Sequence, residues 1–165
     1  MQKIHKKIFH IIGRSNSGKT SLIEKLIPYF KESGLEVAIL KNTSHDFKGD
    51  SPGTDSNRFY QAGARQIGLM NKKKFMMTSV EEKAEPVQLA SKYFSQTDII
   101  IIEGNKKSPL PKLEVIGDSK EPPLFKENYK NIKMIASDHQ TDYPLPTFKR
   151  NEIEKIGQQI IKILS

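Results

Sequence analysis

Hydrophobic residues recur along the chain with two different periods, one typical of buried strands and one typical of amphipathic helices. Residues 98–103, DIIIIE, form a continuous apolar run of strand length. Residues 18–33 instead place Leu22, Leu26 and similar side chains on one face of a helix. Pro28 lies inside this helix and predicts a kink or an early break, because a proline in a helix interior costs roughly 3 kcal/mol.

The same patterns divide the rest of the chain into alternating strands and helices. Strands are predicted at residues 7–12, 36–40, 66–70, 74–79, 98–103, 112–116 and 131–136, and helices at residues 18–33, 55–64, 85–94 and 151–164. The alternation of polar and apolar residues along 112–116 is typical of a strand at the edge of a sheet. Together these elements predict an α/β fold, with a mostly parallel sheet and helices on both faces. The sequence contains neither an internal repeat nor a linker, so a single domain over residues 1–165 is expected.

The composition narrows the classes of protein to which the chain can belong. Hydrophobic residues make up 36% and charged residues 28% of its 165 residues, which suits one core under a highly charged surface. The absence of cysteine excludes disulfides, thiolate zinc sites and thiol nucleophiles. No apolar run approaches the length of about 18 residues that a membrane span needs. The apolar stretch at residues 8–12 is too short for a signal peptide, so a cytoplasmic protein is expected.

The formal net charge of +8 raises the question of nucleic-acid binding. This charge comes mostly from lysines, and surfaces that read bases or clamp phosphates rely on arginine forks. Aromatic and basic residues are not interleaved as they are in single-strand binders. Solvated lysines that attract anionic ligands therefore explain the charge better than a nucleic-acid site. The four arginines are Arg14, Arg58, Arg65 and Arg150.

A glycine loop, residues 13–20 (GRSNSGKT), matches the G-x-x-x-x-G-K-[ST] pattern of a phosphate-binding loop, or P-loop. Its glycines permit the backbone angles that let successive amides surround phosphate oxygens, and the positive end of the following helix attracts the anion. In this pattern Lys19 reaches the β- and γ-phosphates, and the Thr20 hydroxyl binds Mg²⁺. Because the loop follows a buried strand and opens a helix, a simple glycine turn is the weaker interpretation. The predicted phosphate-binding residues are Gly13, Ser15, Asn16, Ser17, Gly18, Lys19, Thr20 and Ser21.

An acidic residue ends the strongest predicted strand. Glu103 follows four isoleucines and lies at the carboxyl edge of the sheet, where the glycine loop also lies. P-loop proteins place an acid at this point to orient Mg²⁺, so Thr20 and Glu103 are the predicted metal-binding residues. Asp98 begins the same strand and belongs to the opposite edge. The alternative role for Glu103 is an exposed carboxylate that pairs with Lys106 or Lys107.

A polar segment follows the second predicted strand and leaves the sheet at the same edge. Asp46 and Asp50 are its candidate catalytic residues, as acids that help to hold Mg²⁺ or orient an attacking water. His45, Asp55 and Arg58 are candidates for further contacts in this segment. Arg58 is spaced either to bind a phosphate or to pair with Asp55, three residues earlier on one helix face. Asp55 is equally a candidate helix cap.

Three blocks in one order resemble the molybdopterin-guanine dinucleotide biosynthesis protein B family. They are the glycine loop, the polar segment and IIIEGNKKSPLPKLEVI. The second block of the family has the form H-x-x-x-x-D-x-P-G-x-D-S-x-R followed by A-G-A, and the third has E-G-x-K followed by P-K and a hydrophobic strand. These forms are matched by His45, Asp50, Pro52, Gly53, Asp55, Ser56, Arg58, Ala62, Gly63 and Ala64, and by Glu103, Gly104, Lys106, Pro111 and Lys112. Ser44 departs from the pattern, which often has a second histidine there.

The resemblance, which runs over residues 7–138, implies a P-loop NTPase-type fold and a homodimeric protein that binds GTP. It implies weak GTP hydrolysis at most. The implied partner is the guanylyltransferase that attaches GMP to molybdopterin, with molybdopterin as a further ligand. The protein would assist that transferase in making the guanine dinucleotide form of the molybdenum cofactor.

Selection of the base has one misleading candidate and one better one. Asn71 and Lys72 begin an N-K-x-D motif, but Lys74 replaces the acid that accepts from guanine, so this motif is rejected. Asp138 follows a predicted strand at the edge where a base would lie, and the family resemblance supports a T/S-D pair at Ser137 and Asp138. An ordinary turn residue remains the alternative for Asp138.

Two other functions remain open. A small-molecule kinase is also built on a P-loop, but such kinases usually need an arginine-bearing lid. No arginine lies between Arg65 and Arg150, which argues against a lid in that region. A basic nucleic-acid-binding module would show binding that falls steeply with salt.

Overall fold

The computed structural model describes residues 7–43, 51–81, 85–118, 121–139 and 143–165. The chain divides into two compact units. The larger unit comprises residues 1–42 and 85–165, and the smaller unit comprises residues 43–84. Sequence alone predicts a single domain and contains no linker-like segment at either junction.

Strands and helices alternate along most of the chain, as the hydrophobic pattern predicts. In chain order the elements are β1 (Ile8–Gly13), α1 (Lys19–Glu32), β2 (Val37–Lys41), α2 (Asp55–Gln61), β3 (Gln66–Met70), β4 (Phe75–Ser79), α3 (Pro86–Tyr93), β5 (Ile99–Glu103), β6 (Lys112–Ile116), a 3₁₀ turn (Leu124–Lys126), β7 (Ile132–Ser137), β8 (Thr147–Phe148) and α4 (Ile153–Leu164). Every predicted strand and helix has a counterpart within a few residues. The short strand β8 was not predicted.

A six-stranded sheet forms the centre of the larger unit. Its strand order is β2-β5-β1-β6-β7-β8, and all of these pairings are parallel. Side chains of β1 and β5 alternate between the two faces of the sheet. Phe9 and Ile11 face α1 and α4, whereas Ile8 and Ile100 pack against Ala90 of α3. Helices therefore cover both faces, and the predicted α/β class is confirmed.

Strand β6 lies between β1 and β7, so the prediction that it forms a sheet edge is wrong. Its alternation comes from two charged residues that are buried instead of solvated. Lys112 donates from Nζ to the carbonyl oxygens of Ser108, Leu110 and Lys130. Glu114 accepts from the backbone N–H groups at the start of the 3₁₀ turn, over 2.6 and 3.0 Å. Backbone partners satisfy both charges, which lets a polar pattern occupy the interior of the sheet.

Helix α1 continues through Pro28 to Glu32, so the expected early break does not occur. Pro28 is exposed, whereas Leu26 and Phe30 on either side of it are completely buried in the core. Burial of a large apolar side chain contributes about 1.5–3 kcal/mol. The packing of these neighbours therefore offsets the hydrogen bond that the proline cannot make.

The smaller unit contains α2 and an antiparallel hairpin made of β3 and β4. The side-chain oxygen of Asn71 accepts from the backbone N–H groups of Lys73 and Lys74 and so closes the hairpin turn, over 2.9 and 2.8 Å. This structural role agrees with the rejection of Asn71 as a base reader. Large apolar side chains are exposed on this unit: Phe59, Tyr60, Leu69, Met70, Phe75, Met76 and Met77. None of the helices in the described ranges has the length and apolar character that crossing a bilayer requires.

Candidate functional site

The glycine loop joins the buried strand β1 to helix α1, as the sequence predicts. At Gly13 a Cβ atom would collide with the carbonyl oxygen of Val115 on the neighbouring strand, so only glycine fits there. Gly18 has a φ of +91° and forms the N-cap of α1 without a side-chain cap. The first N–H groups of α1 therefore have no capping side chain, and the positive end of the helix dipole faces the loop.

A first cavity of about 450 Å³ opens over this loop. Seven of the eight predicted phosphate-binding residues line it, with Gly13 as the exception. A cavity of this size is comparable to those that hold small ligands in proteins. Its complete lining is Ser15, Asn16, Ser17, Gly18, Lys19, Thr20, Ser21, Lys41 and Glu103.

The Lys19 ammonium folds back onto the loop that would hold a phosphate. Its Nζ donates to the carbonyl oxygens of Arg14 and Gly13, over 2.6 and 3.3 Å. Burial lowers the pKa of Lys19, the nearby Glu103 carboxylate raises it, and nearby lysines lower it further. An anion in the first cavity would favour the charged form of Lys19 and give it a stronger acceptor than either carbonyl.

Thr20 and Glu103, the two predicted metal-binding residues, lie side by side. The Thr20 hydroxyl is 3.3 and 3.4 Å from the two carboxylate oxygens of Glu103, which is buried at the end of β5. Asp98 lies at the other end of that strand and accepts from the backbone N–H of Glu36 over 2.9 Å. Of the two acids, only Glu103 is at the edge that holds the glycine loop.

A Mg²⁺ ion would suit this pair of residues. Both groups offer oxygen, which is the ligand type that Mg²⁺ prefers. Within the described ranges, no group of three or more histidines and acids could hold a metal ion. An ion beside Thr20 and Glu103 would therefore take its other ligands from phosphate and water, as Mg²⁺ commonly does.

Sequence reasoning did not identify Lys41 as a site residue. Lys41 ends β2 opposite Glu103 in the parallel register, and it lines the first cavity. Its Nζ lies 3.9 Å from a Glu103 carboxylate oxygen. The available signal was strand polarity, since the last residue of β2 had to reach the same edge as the last residue of β5.

A second cavity, of about 240 Å³, adjoins the first at Gly18 and Ser21. Asp138 lines it, and both of its carboxylate oxygens accept from Arg150: Oδ1 from the backbone N–H over 2.9 Å, and Oδ2 from Nε over 2.6 Å. Burial alone would raise the pKa of Asp138, but these hydrogen bonds and the Arg150 charge lower it overall. Sequence reasoning did not single out Arg150. The full lining is Gly18, Ser21, Leu22, Lys25, Asp138, Arg150 and Asn151.

The candidates from the polar segment fall into two groups. His45, Asp46 and Asp50 lie outside the described residues. Asp55 and Arg58 belong to the smaller unit, where Arg58 Nη1 is 3.6 Å from Asp55 Oδ1 in an exposed pair. Thr54, not Asp55, caps helix α2 by accepting from the N–H of Asn57.

Comparisons with known proteins all assign the chain to the same protein family. The family model of molybdopterin guanine dinucleotide synthesis protein B, MobB, matches residues 8–138. The chain belongs to the MobB family. This MobB-family chain is 32% identical over 137 residues to the molybdopterin-guanine dinucleotide biosynthesis adapter protein of Haemophilus influenzae, covering 82% of this chain and 74% of that protein. It is 28% identical to the adapter protein of Escherichia coli, covering 90% and 87%.

Solved structures of MobB proteins share the fold. A crystal structure of molybdopterin-guanine biosynthesis protein B superposes with a TM-score of 0.77 at 26% identity, over 94% of this chain and 99% of that chain. The MobB of Bacillus subtilis gives a TM-score of 0.75 at 26% identity, over 96% and 98%. These likenesses confirm the family that the three sequence blocks resemble. Membership of MobB places the chain in molybdopterin guanine dinucleotide synthesis.

Proposed function

We propose that this MobB-family chain binds GTP with Mg²⁺ at the glycine loop and acts as an adapter in the synthesis of molybdopterin guanine dinucleotide. One observation supports GTP binding above the others. Lys19, Thr20 and Glu103 converge on a single cavity at the N-terminus of α1. Such a site combines backbone donors, a cation and oxygen ligands for a metal, which is the chemistry that a nucleoside triphosphate requires.

Each group in the first cavity has a part in this binding. Backbone N–H groups of the glycine loop would surround the β-phosphate, and Lys19 would turn from the loop carbonyls to the β- and γ-phosphates. Mg²⁺, when bound, would neutralise part of the phosphate charge. Thr20 and Glu103 would hold it, with the Lys41 ammonium beside the Glu103 carboxylate. We assign at most weak GTP hydrolysis, with Asp46 and Asp50 as the candidate acids.

The second cavity suits the nucleoside, and Asp138 is the proposed reader of guanine. A carboxylate accepts hydrogen bonds only, so it matches the N1–H and N2–H₂ donors of guanine. Each oxygen has two lone pairs, and Arg150 occupies one on each. Adenine has no hydrogen at N1 and no 2-amino group, so it would leave the remaining lone pairs of Asp138 without donors.

Adapter proteins act through partners, and we propose two. The first is the guanylyltransferase that attaches GMP to molybdopterin, with molybdopterin as a further ligand. The second is another copy of this chain. Its docking surface would be the exposed apolar hairpin of the smaller unit, because a contiguous apolar surface is normally covered by a partner. We also infer a cytoplasmic location, which the lack of cysteine supports.

A calorimetric panel of nucleotides tests the proposal. GTP, GDP and ATP are titrated with and without Mg²⁺ into the unmodified protein and into Lys19→Ala. Charge-assisted hydrogen bonds contribute about 1.5–3 kcal/mol each, so Lys19→Ala is expected to lower the affinity for GTP at least about tenfold. Lys155→Ala, which removes an exposed cation from α4, is the matched control. Equal GTP affinity in Lys19→Ala, with unchanged melting in the absence of nucleotide, would disprove the site.

A further inference from the structure

Arg150 lines the second cavity and lies against Gly18, which lines both cavities. The second cavity shares Gly18 and Ser21 with the first, but not Thr20, Lys41 or Glu103. In the proposed GTP complex the metal and the terminal phosphate lie near Thr20 and Glu103. The nucleoside must therefore leave the first cavity on the side of Gly18 and Ser21, which brings it to the second cavity and to Arg150.

Three contacts hold Arg150 in one geometry. Its backbone N–H and Nε donate to the two oxygens of Asp138, and Nη1 donates to the carbonyl oxygen of Ser17 over 3.3 Å. The guanidinium also lies against Gly18, where Nη1 is 2.9 Å from the position that a Cβ would occupy. Arg150 thus joins the end of β7 to the glycine loop, and its side chain loses little further freedom when a ligand binds.

The guanidinium retains donors for a ligand. It has five N–H groups, and the contacts within the described residues use Nε and one hydrogen of Nη1. Guanine presents the O6 acceptor next to N1–H on the same edge, whereas adenine presents an amino donor there. When the N1–H and N2–H₂ groups of guanine donate to Asp138, the neighbouring O6 lies beside the Asp138–Arg150 pair. A free N–H group of Arg150 can then donate to O6.

We propose that Arg150 is a specificity-determining residue of the nucleoside subsite, a guanidinium held by Asp138 and the Ser17 carbonyl that donates to O6 of guanine. The proposal rests on the GTP binding proposed above and adds a residue to it. Arg150 lies beyond residues 8–138, the part of the chain that the family model matches. Asp138 then has two roles, since it accepts from the base and also positions Arg150.

The test compares three ligands by calorimetry: GTP, 6-thio-GTP and inorganic tripolyphosphate, each with Mg²⁺. Sulfur at position 6 is a weak acceptor, so the unmodified protein should bind GTP about tenfold more tightly than 6-thio-GTP. Arg150→Met keeps the length of the side chain and removes the donors. It should lose about tenfold to a hundredfold in GTP affinity and bind GTP and 6-thio-GTP equally. Its affinity for tripolyphosphate should stay within about threefold of the unmodified value.

Several results would overturn the assignment. Equal binding of GTP and 6-thio-GTP by the unmodified protein needs no variant and excludes an O6 contact. If Arg150→Met still binds GTP more tightly than 6-thio-GTP, Arg150 is not the source of that preference. If Arg150→Met loses affinity for GTP and for tripolyphosphate equally, Arg150 only stabilises the glycine loop and does not contact the base. Failure of the unmodified protein to bind tripolyphosphate would instead disprove the phosphate site itself. Lys133→Met, on the exposed face of β7, controls for loss of a cation.

Discussion

His10 is buried in the centre of the sheet without a full set of partners. Its Nδ1 lies 3.2 Å from the carbonyl oxygen of Gly104, and its Nε2 has no hydrogen-bond partner in the described part of the chain. The pKa of His10 is lowered to about 4, mainly because the ring is buried; the Gly104 contact raises the pKa, and the Lys112 charge lowers it. The residue is therefore neutral in the folded protein at every pH near neutrality.

This burial predicts a loss of stability in mild acid. The unfolded chain takes up a proton on His10 near pH 6.5, whereas the folded chain does so only near pH 4. The free energy of unfolding should therefore fall as the pH drops through this window, by about 3 kcal/mol in total. Urea unfolding of the unmodified protein and of His10→Leu at pH 7, 6 and 5 measures the difference. A His10→Leu variant whose stability falls with the same slope as that of the unmodified protein would contradict the prediction.

Glu103 and Asp98 occupy opposite ends of one strand, and this placement predicts different effects on metal dependence. Glu103→Gln should reduce the gain in GTP affinity that Mg²⁺ provides by about tenfold or more, because it removes a carboxylate beside Thr20. Asp98→Asn should leave that gain unchanged, since its side chain can still accept from Glu36 N–H. Titrations at fixed GTP with increasing Mg²⁺ compare the two variants. A larger effect of the Asp98 change would assign the metal to the other edge.

At the scale of elements, the hairpin of β3 and β4 places Met70 and Phe75 opposite each other, with 81% and 65% of their surfaces exposed. If a second copy covers this surface, each apolar side chain contributes about 1.5–3 kcal/mol to association. The double variant Met70→Lys, Phe75→Lys should raise the dimer dissociation constant more than about a hundredfold. Sedimentation equilibrium measures it, with Ile27→Lys on α1 as control. A monomeric unmodified protein, or a double variant that dimerises normally, would exclude this interface.

Strand β6 shows when the hydrophobic pattern of a strand predicts its position in the sheet and when it does not. Continuous apolar runs such as β5 have one possible environment, so their burial is predictable. In β6 the charges of Lys112 and Glu114 favour an exposed face. Their partners are backbone groups of segments outside the strand, including Lys130 and Leu124. The sequence of β6 itself does not indicate these partners, so the position of β6 inside the sheet could not be predicted from it.

At the scale of the whole molecule, the net charge of +8 predicts salt-sensitive contacts with polyanions. Binding to duplex DNA, if observed at 50 mM salt, should fall by a factor of about 10³ or more at 200 mM salt. GTP affinity should change by less than about tenfold over the same range, because the proposed site has far fewer charged contacts with its ligand than a DNA interface has. Fluorescence anisotropy with labelled DNA and labelled GTP makes the comparison. DNA binding that resists salt would favour the nucleic-acid function.

The candidate site was predictable only where its residues form local motifs. The glycine loop is contiguous, and Glu103 ends a strong strand, so both could be placed from sequence. Lys41 and Arg150 belong to no motif. The register of β2 with β5 places Lys41 beside Glu103, and Arg150 reaches the site from a loop 12 residues after Asp138. Residues 43–84 contain strands and a helix of ordinary pattern, so the hydrophobic pattern carries no sign of the division into two compact units.

The pairing of β1 with strands from the second half of the chain has a consequence for synthesis. Ile11 aligns with Glu103 and with Leu113, and Gly13 contacts Val115, so the first strand is enclosed by segments about a hundred residues further along. A ribosome adds roughly 5–20 residues per second. For several seconds a nascent chain thus exposes an apolar strand and an unformed glycine loop. If the proposed nucleotide binds there, it could assist folding only after β6 has emerged, so it would stabilise the finished site instead of nucleating it.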